Sequence, residues 1–222
     1  MKRTLIVCIV IAGLAVASSL TAADGDWIIR GNYVKTWPST DSYQTQSVLG
    51  TLPDIFTEIS LDSGQGFGLD IEYMATEKWG VVLLAIFTDM EGTFVAGIEP
   101  GEASDRVIDN NTVDVYTVNF GANYHFTPDR RVDFYLGAYL GWFSYDSIRF
   151  NLPEIDQQVK INFDDQFSYG LNAGLDIPFT RDSPWLFTVA LKYLVSDLKE
   201  TGGPREIAID PLIGSIGIGY KF

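Results

Sequence analysis

The sequence predicts an all-β fold: an eight-stranded antiparallel up-and-down transmembrane β-barrel. Three observations carry this. Stretches of about ten residues alternate apolar with small or polar side chains, which is the period of a strand and a length that crosses a bilayer at the usual tilt. The connections between them alternate long and short, the pattern of an outer-membrane barrel with long loops outside the cell and short turns in the periplasm. The chain ends on such a strand, in which Phe222, Tyr220, Ile218, Ile216, Gly214 and Leu212 interleave with Lys221, Gly219, Gly217, Ser215 and Ile213. Aromatics outward at the lipid interface and small residues inward predict a barrel closing on itself.

The front of the chain predicts export. Met1-Lys2-Arg3 is a basic start, Leu5 to Leu20 is apolar, and Thr21-Ala22-Ala23 offers small residues for cleavage. This reads as a signal peptide over 1–23 and a barrel over 24–222, beginning at Asp24. Cys8, the single cysteine, lies in the signal, so the mature chain has no thiol, disulfide or cysteine metal site. The formal charge is −14, and −16 once Lys2 and Arg3 are removed. Nucleic acid and anionic headgroups are poor partners for such a chain, because phosphate binding needs a basic surface. With 14 % aromatic residues and 21 glycines, the composition suits one all-β domain with aromatic belts. After the signal no uncharged apolar run approaches the roughly 20 residues of a membrane helix, so a membrane span has to be a barrel.

Strand one sets Trp27, Ile29, Gly31 and Tyr33 against Ile28, Arg30, Asn32, Val34 and Thr36. Residues 38–64 read as a long loop with an apolar portion. Strand two alternates without a fault, Phe67, Leu69, Ile71 and Tyr73 against Gly68, Asp70 and Glu72, and a short turn follows at 75–78. Trp79 to Phe87 is apolar on both faces, which predicts a strand buried on both sides. Residues 88–111 read as a second long loop.

Strand four, Val113 to Phe126, sends Tyr116, Val118, Phe120 and Tyr124 one way and Thr117, Asn119, Asn123 and His125 the other. After a short turn, strand five sets Phe134, Leu136, Leu140 and Trp142 against Tyr135, Gly137, Tyr139, Gly141 and Phe143. Residues 144–165 are the third long loop. Strand six sets Phe167, Tyr169 and Leu171 against Ser168, Gly170, Asn172, Gly174 and Asp176. Strand seven sets Trp185, Val189, Leu191 and Tyr193 against Leu186, Thr188, Ala190, Lys192 and Leu194. A soluble eight-stranded barrel would have to hold the aromatic series inside, and eight strands do not enclose that volume.

Several short stretches stand in a recognisable order: Gly25-Asp26-Trp27, Trp79-Gly80-Val81-Val82-Leu83-Leu84-Ala85, Asn123-Tyr124-His125-Phe126-Thr127-Pro128, Tyr135-Leu136-Gly137-Ala138, Ala173 to Pro178, Asp210-Pro211 and Gly219-Tyr220-Lys221-Phe222. In these the chain resembles the OmpW family of small outer-membrane barrels over nearly all of the mature sequence. The resemblance implies an eight-stranded barrel with an apolar lumen, associated with passage of small hydrophobic molecules through the bacterial outer membrane. It also implies that the strand carrying Tyr220 and Phe222 is the signal read by the barrel-insertion machinery. The chain departs at Thr88-Asp89, where many relatives carry Pro-Phe and then a His, and at Leu212, where a Trp is common. No ligand role is carried over to those positions.

No residue pattern points to catalysis, a cofactor or a metal. A catalytic His125 would need a nucleophile beside it, yet its inward neighbours on the same strand are Asn123 and Gly121, which predicts a lumen hydrogen bond instead. One His with scattered carboxylates has no metal-ligand spacing. The acidic loops read as solvated, with cation bridging to lipopolysaccharide as the other reading. Sorting inward residues by strand direction places Val34, Gly68, Leu84, Ile86, Val115, Tyr139, Phe143, Gly170, Leu194 and Ile213 in the outer half of the lumen. Arg30, Asp70, Glu72, Asn123, His125, Asp133, Tyr135, Asp176 and Lys221 fall in the periplasmic half as a polar plug whose charges pair with one another. The expectation is a barrel that binds or passes small hydrophobic molecules, released sideways at mid-depth through inward glycines and a weakened strand pair. A structural or surface-interaction barrel with a plugged lumen is the alternative.

Overall fold

The computed structural model describes residues 25–39, 43–47, 55–97, 106–128, 131–152, 157–181, 183–201 and 206–222. The expected signal peptide over 1–23 and the expected start at Asp24 lie outside the described residues. Eight long strands carry the period-two patterns: β1 (Trp27–Trp37), β2 (Gly64–Met74), β3 (Trp79–Gly97), β4 (Arg106–His125), β5 (Asp133–Tyr145), β6 (Gln166–Pro178), β7 (Trp185–Val195) and β8 (Leu212–Lys221). Each pairs antiparallel with the next. The barrel closes through β1 and β8, from Ile28 opposite Lys221 to Trp37 opposite Leu212, and the Phe222 amide adds one more bond to the Trp27 carbonyl at 2.8 Å.

The wall shows which solvent it faces. Phe67 is 71 % exposed, Leu171 66 %, Phe120 61 % and Trp142 60 %, a band of apolar surface that only a lipid environment accommodates. Aromatic pairs cluster toward the short-turn end, Trp27 with Tyr73 at 4.9 Å, Trp79 with Tyr124 at 5.1 Å and Trp185 with Tyr220 at 4.9 Å. Others lie toward the far end, Tyr33 with Phe67, Phe87 with Tyr116 and Trp142 with Phe167. The short turns are closed by hydroxyls: Thr76 Oγ1 accepts from the Trp79 amide and Ser183 Oγ from the Trp185 amide, each at 3.0 Å.

Three expectations change. The run apolar on both faces is not buried on both sides: Trp79, Val81 and Phe87 are exposed on the wall while Val82, Leu84 and Ile86 face inward, because the bilayer takes the place of a second protein layer. The loop expected over 88–111 is largely ladder, with β3 running to Gly97 and β4 starting at Arg106, paired beyond the barrel with a register shift at Phe94/Val95. The other long connections also hold paired segments. Ile55–Leu61 adds to the far part of β3 and pairs with Tyr43–Ser47, Ile148–Leu152 pairs with Gln157–Ile161, and Asp197–Glu200 pairs with Phe163–Asp164 and Glu206–Ala208. Strand edges that outlast a barrel rim expose unpaired amides, and these ribbons satisfy some of them.

Candidate functional site

Parity along the strands aims two kinds of side chain into the lumen, and glycines make room for the large ones. A Cβ on Gly174 would collide with the Tyr135 ring, one on Gly121 with Tyr139, and one on Gly80 with the Glu72 carboxylate. These inward glycines are therefore seats for side chains from neighbouring strands.

Toward the long-loop end, Val34, Leu84, Ile86, Val115, Tyr139, Phe143, Leu194 and Ile213 are all between 0 and 3 % exposed and belong to one apolar cluster. Leu61, Phe163 and Ile209, from the segments beyond the barrel rim, join the same cluster as a roof. Phe143 stacks on Tyr145 at 5.9 Å, and Tyr145 meets Phe163 edge-on at 6.4 Å. Strand periodicity carries no sign that loop residues close this half.

At the short-turn end, Arg30 lies at the centre of a charged network. Its Nη1 donates to Glu72 Oε2 at 2.6 Å, its Nη2 and Nε donate to Asp176 Oδ2 at 2.5 and 3.1 Å, and its guanidinium lies 5.2 Å from the Tyr135 ring centre. Glu72 Oε1 also accepts from Asn123 Nδ2 at 2.9 Å and lies 3.0 Å from His125 Nε2. The other ring nitrogen of His125 lies 2.6 Å from Asp133 Oδ2. Both nitrogens face carboxylates, so neither is placed to take a proton from a hydroxyl nucleophile. Asn172 Nδ2 extends the network upward to Asn123 Oδ1 and the Tyr139 hydroxyl, at 3.0 and 3.1 Å. Burying these charges without partners would cost several kcal/mol each, and the pairing offsets that.

Between the two halves lies a polar layer that strand-direction sorting leaves out except for Asp70, which pairs here and not with Arg30 of the plug. Lys192, 1 % exposed, reaches Ser215 Oγ at 3.3 Å and lies 3.7 Å from Asp70 Oδ2, which also accepts from Asn32 Nδ2 at 3.1 Å. Ser168 and Thr117 bracket Asn119 by hydrogen bonds of 3.0 and 2.7 Å. Asp70 Oδ1, Asn172 Oδ1 and Thr36 Oγ1 have no protein partner among the described residues. The outer half is thus less uniformly apolar than sorting by strand direction implies.

Lys221 does not join the plug. Its parity is inward, but as the last residue of β8 it lies at the rim, with its side chain 42 % exposed and paired to Asp26 at 2.7 Å. It lines a cleft of about 340 Å³ beneath the network, together with Asp133, Asp176 and Arg181.

The barrel with its apolar half and charged plug can be set beside known proteins. The OmpW family profile matches residues 23–222. The chain belongs to the OmpW family. It is 26 % identical over 234 residues to Outer membrane protein W of Vibrio cholerae serotype O1, covering all of both chains. Among solved structures, OprG of Pseudomonas aeruginosa superimposes with a TM-score of 0.64 at 19 % identity, over 89 % of this chain and 96 % of that one. AlkL, solved in lipid bilayers, gives 0.62 at 20 % identity, over 92 % and 93 %. These likenesses bear on the fold, and membership of the family places this chain in the bacterial outer membrane. The short turns, the start of β1 and the end of β8 are then periplasmic, and the long connections extracellular.

Proposed function

We propose that this OmpW-family barrel binds or passes small hydrophobic molecules through the apolar outer half of its lumen and releases them sideways into the membrane. One observation carries the reading: a contiguous cluster of apolar side chains lies above a plug in which Arg30 holds both Glu72 and Asp176. An apolar molecule gains by entering the first and loses by crossing the second, where each displaced hydrogen bond costs about 1–3 kcal/mol. Escape at mid-depth follows from that difference. The route cannot rest on open glycine notches, because Gly121, Gly170 and Gly174 are filled by Tyr139, Leu194 and Tyr135. Nor is the ladder irregular at that depth, since the register shift between β3 and β4 lies beyond the barrel at Phe94/Val95. Passage then requires side chains of the cluster to move together, with local opening of an intact strand pair.

The tight packing of the cluster favours a second reading, a structural barrel whose lumen stays closed. A photoactivatable apolar diazirine, added to the folded protein and mapped by mass spectrometry, separates the two. Labels on Leu84, Phe143 or Leu194 support the conduit; labels confined to the outer wall support the structural barrel.

A further inference from the structure

The outer wall is not uniform around its circumference. On β1 to β4 an aromatic ladder row, Tyr33, Phe67, Phe87 and Tyr116, is followed one level toward the extracellular side by a polar row, Lys35, Gln65, Asp89 and Asp114. Such a sequence of levels marks the membrane interface. The polar row stops at Lys35. Its next neighbour across the ladder is Gly214 on β8, followed by Leu191 and Ala173.

At that break a groove of about 500 Å³ opens on the outer surface. Its floor includes the small residues Ala173, Gly174 and Gly214, and the Trp37 ring lies against the bare Gly214 backbone, where a Cβ would come within 3.0 and 3.2 Å of it. One side is the ladder row Phe134, Leu175, Val189, Ile216 and Tyr33. At about 4.8 Å per strand, the four steps of that row give a groove of about 19 Å. Strand tilt makes it climb obliquely, from the start of β5 to the extracellular end of β1.

Lys35 lies at the upper end of this groove, half-buried. Among the barrel-strand residues whose side chains are described it is the only basic one on the outward face, and no described carboxylate pairs with it. The net charge of the chain disfavours anions elsewhere, so one cation joined to an apolar groove is a local exception that matches an anionic headgroup carrying an acyl chain.

We propose that the groove ending at Lys35 seats an acyl chain of a phosphorylated glycolipid of the outer leaflet, with the lipid's phosphate on the Lys35 ammonium. The depth of Lys35 commits the site to the outer leaflet, whose anionic lipid is the phosphorylated glycolipid. This site is independent of the lumen.

The test uses the folded full-length protein in nanodiscs, with binding read by native mass spectrometry. The probes are hexa-acyl bisphosphoryl lipid A, its dephosphorylated form and phosphatidylglycerol. The wild type is expected to retain lipid A at least tenfold better than the dephosphorylated form. Lys35→Gln and the groove-filling Ala173→Phe should each weaken lipid A about tenfold, while Lys35→Arg retains it, all with the normal heat-modifiable gel shift. Equal retention by Lys35→Gln and wild type overturns the proposal. So does equal binding of the dephosphorylated lipid or of phosphatidylglycerol.

Discussion

Arg30 Nη1 and Glu72 Oε2 meet at 2.6 Å inside the barrel, with side chains 1 % and 0 % exposed. The two residues are diagonal neighbours on adjacent strands, since Arg30 is opposite Asp70 and Glu72 opposite Ile28. A pair so placed is shielded from both bulk solvent and lipid.

Removing only the cation leaves Glu72 and Asp176 as buried like charges. Arg30→Met should destabilise the folded barrel by about 3–5 kcal/mol, measured by urea unfolding in lipid vesicles. The triple change Arg30→Met, Glu72→Gln, Asp176→Asn should recover most of that loss, because no uncompensated charge remains. Additive losses in the triple variant would mean that the residues act independently.

The plug should also set ion permeability. Asp70→Asn with Glu72→Gln loosens the contacts to Lys192, Asn32, Arg30, Asn123 and His125. Single-channel conductance in planar bilayers should rise, with apolar uptake changing less than twofold. Loss of uptake in a folded double variant would place the apolar route through the plug.

The inward face of each strand is legible in the sequence because period two fixes parity. Once Asp70 and Glu72 are inward, Gly68 and Met74 are inward as well, and burial follows that alternation along β2 except at Ile71, which is outward by parity yet buried. Depth is less legible. Counting from strand ends ignores both ladder stagger and side-chain reach, so it gives no depth to Lys192, which lies opposite Asn172 and Ile213 and reaches Asp70, and it sets Lys221 too deep. The roof residues Leu61, Phe163 and Ile209 lie in segments with too short an alternation to announce which way they face.

The glycine seats make a sharp contrast. Gly174→Val should drive a side chain into Tyr135 and cost about 1–3 kcal/mol by overpacking, whereas Gly31, where an added Cβ meets nothing within 4 Å, should accept Ala without loss. Unfolding midpoints of the two variants in the same vesicles check this. Equal midpoints would show that Tyr135 moves aside freely.

Assembly should depend on the end of β8 more than on its charge. Phe222 is 65 % exposed, packs on Tyr220 at 4.7 Å and bonds Trp27 through its amide, whereas Lys221 makes one exposed ion pair worth at most about 1 kcal/mol. Truncating Phe222 should lower the folded amount in the outer membrane far more than Lys221→Gln. Equal yields would count against the outward placement of Tyr220 and Phe222 as an insertion signal.

Whether apolar molecules use the outer half of the lumen is decided by proteoliposome uptake of an uncharged fluorescent hydrocarbon. Leu84→Asp and Ile213→Asp, read beside the wild type and checked for the heat-modifiable folded band, place a charge inside the apolar cluster. Uptake in each folded variant should fall at least tenfold toward the protein-free rate. Unchanged uptake with Asp at either position would show that the apolar half is not the route.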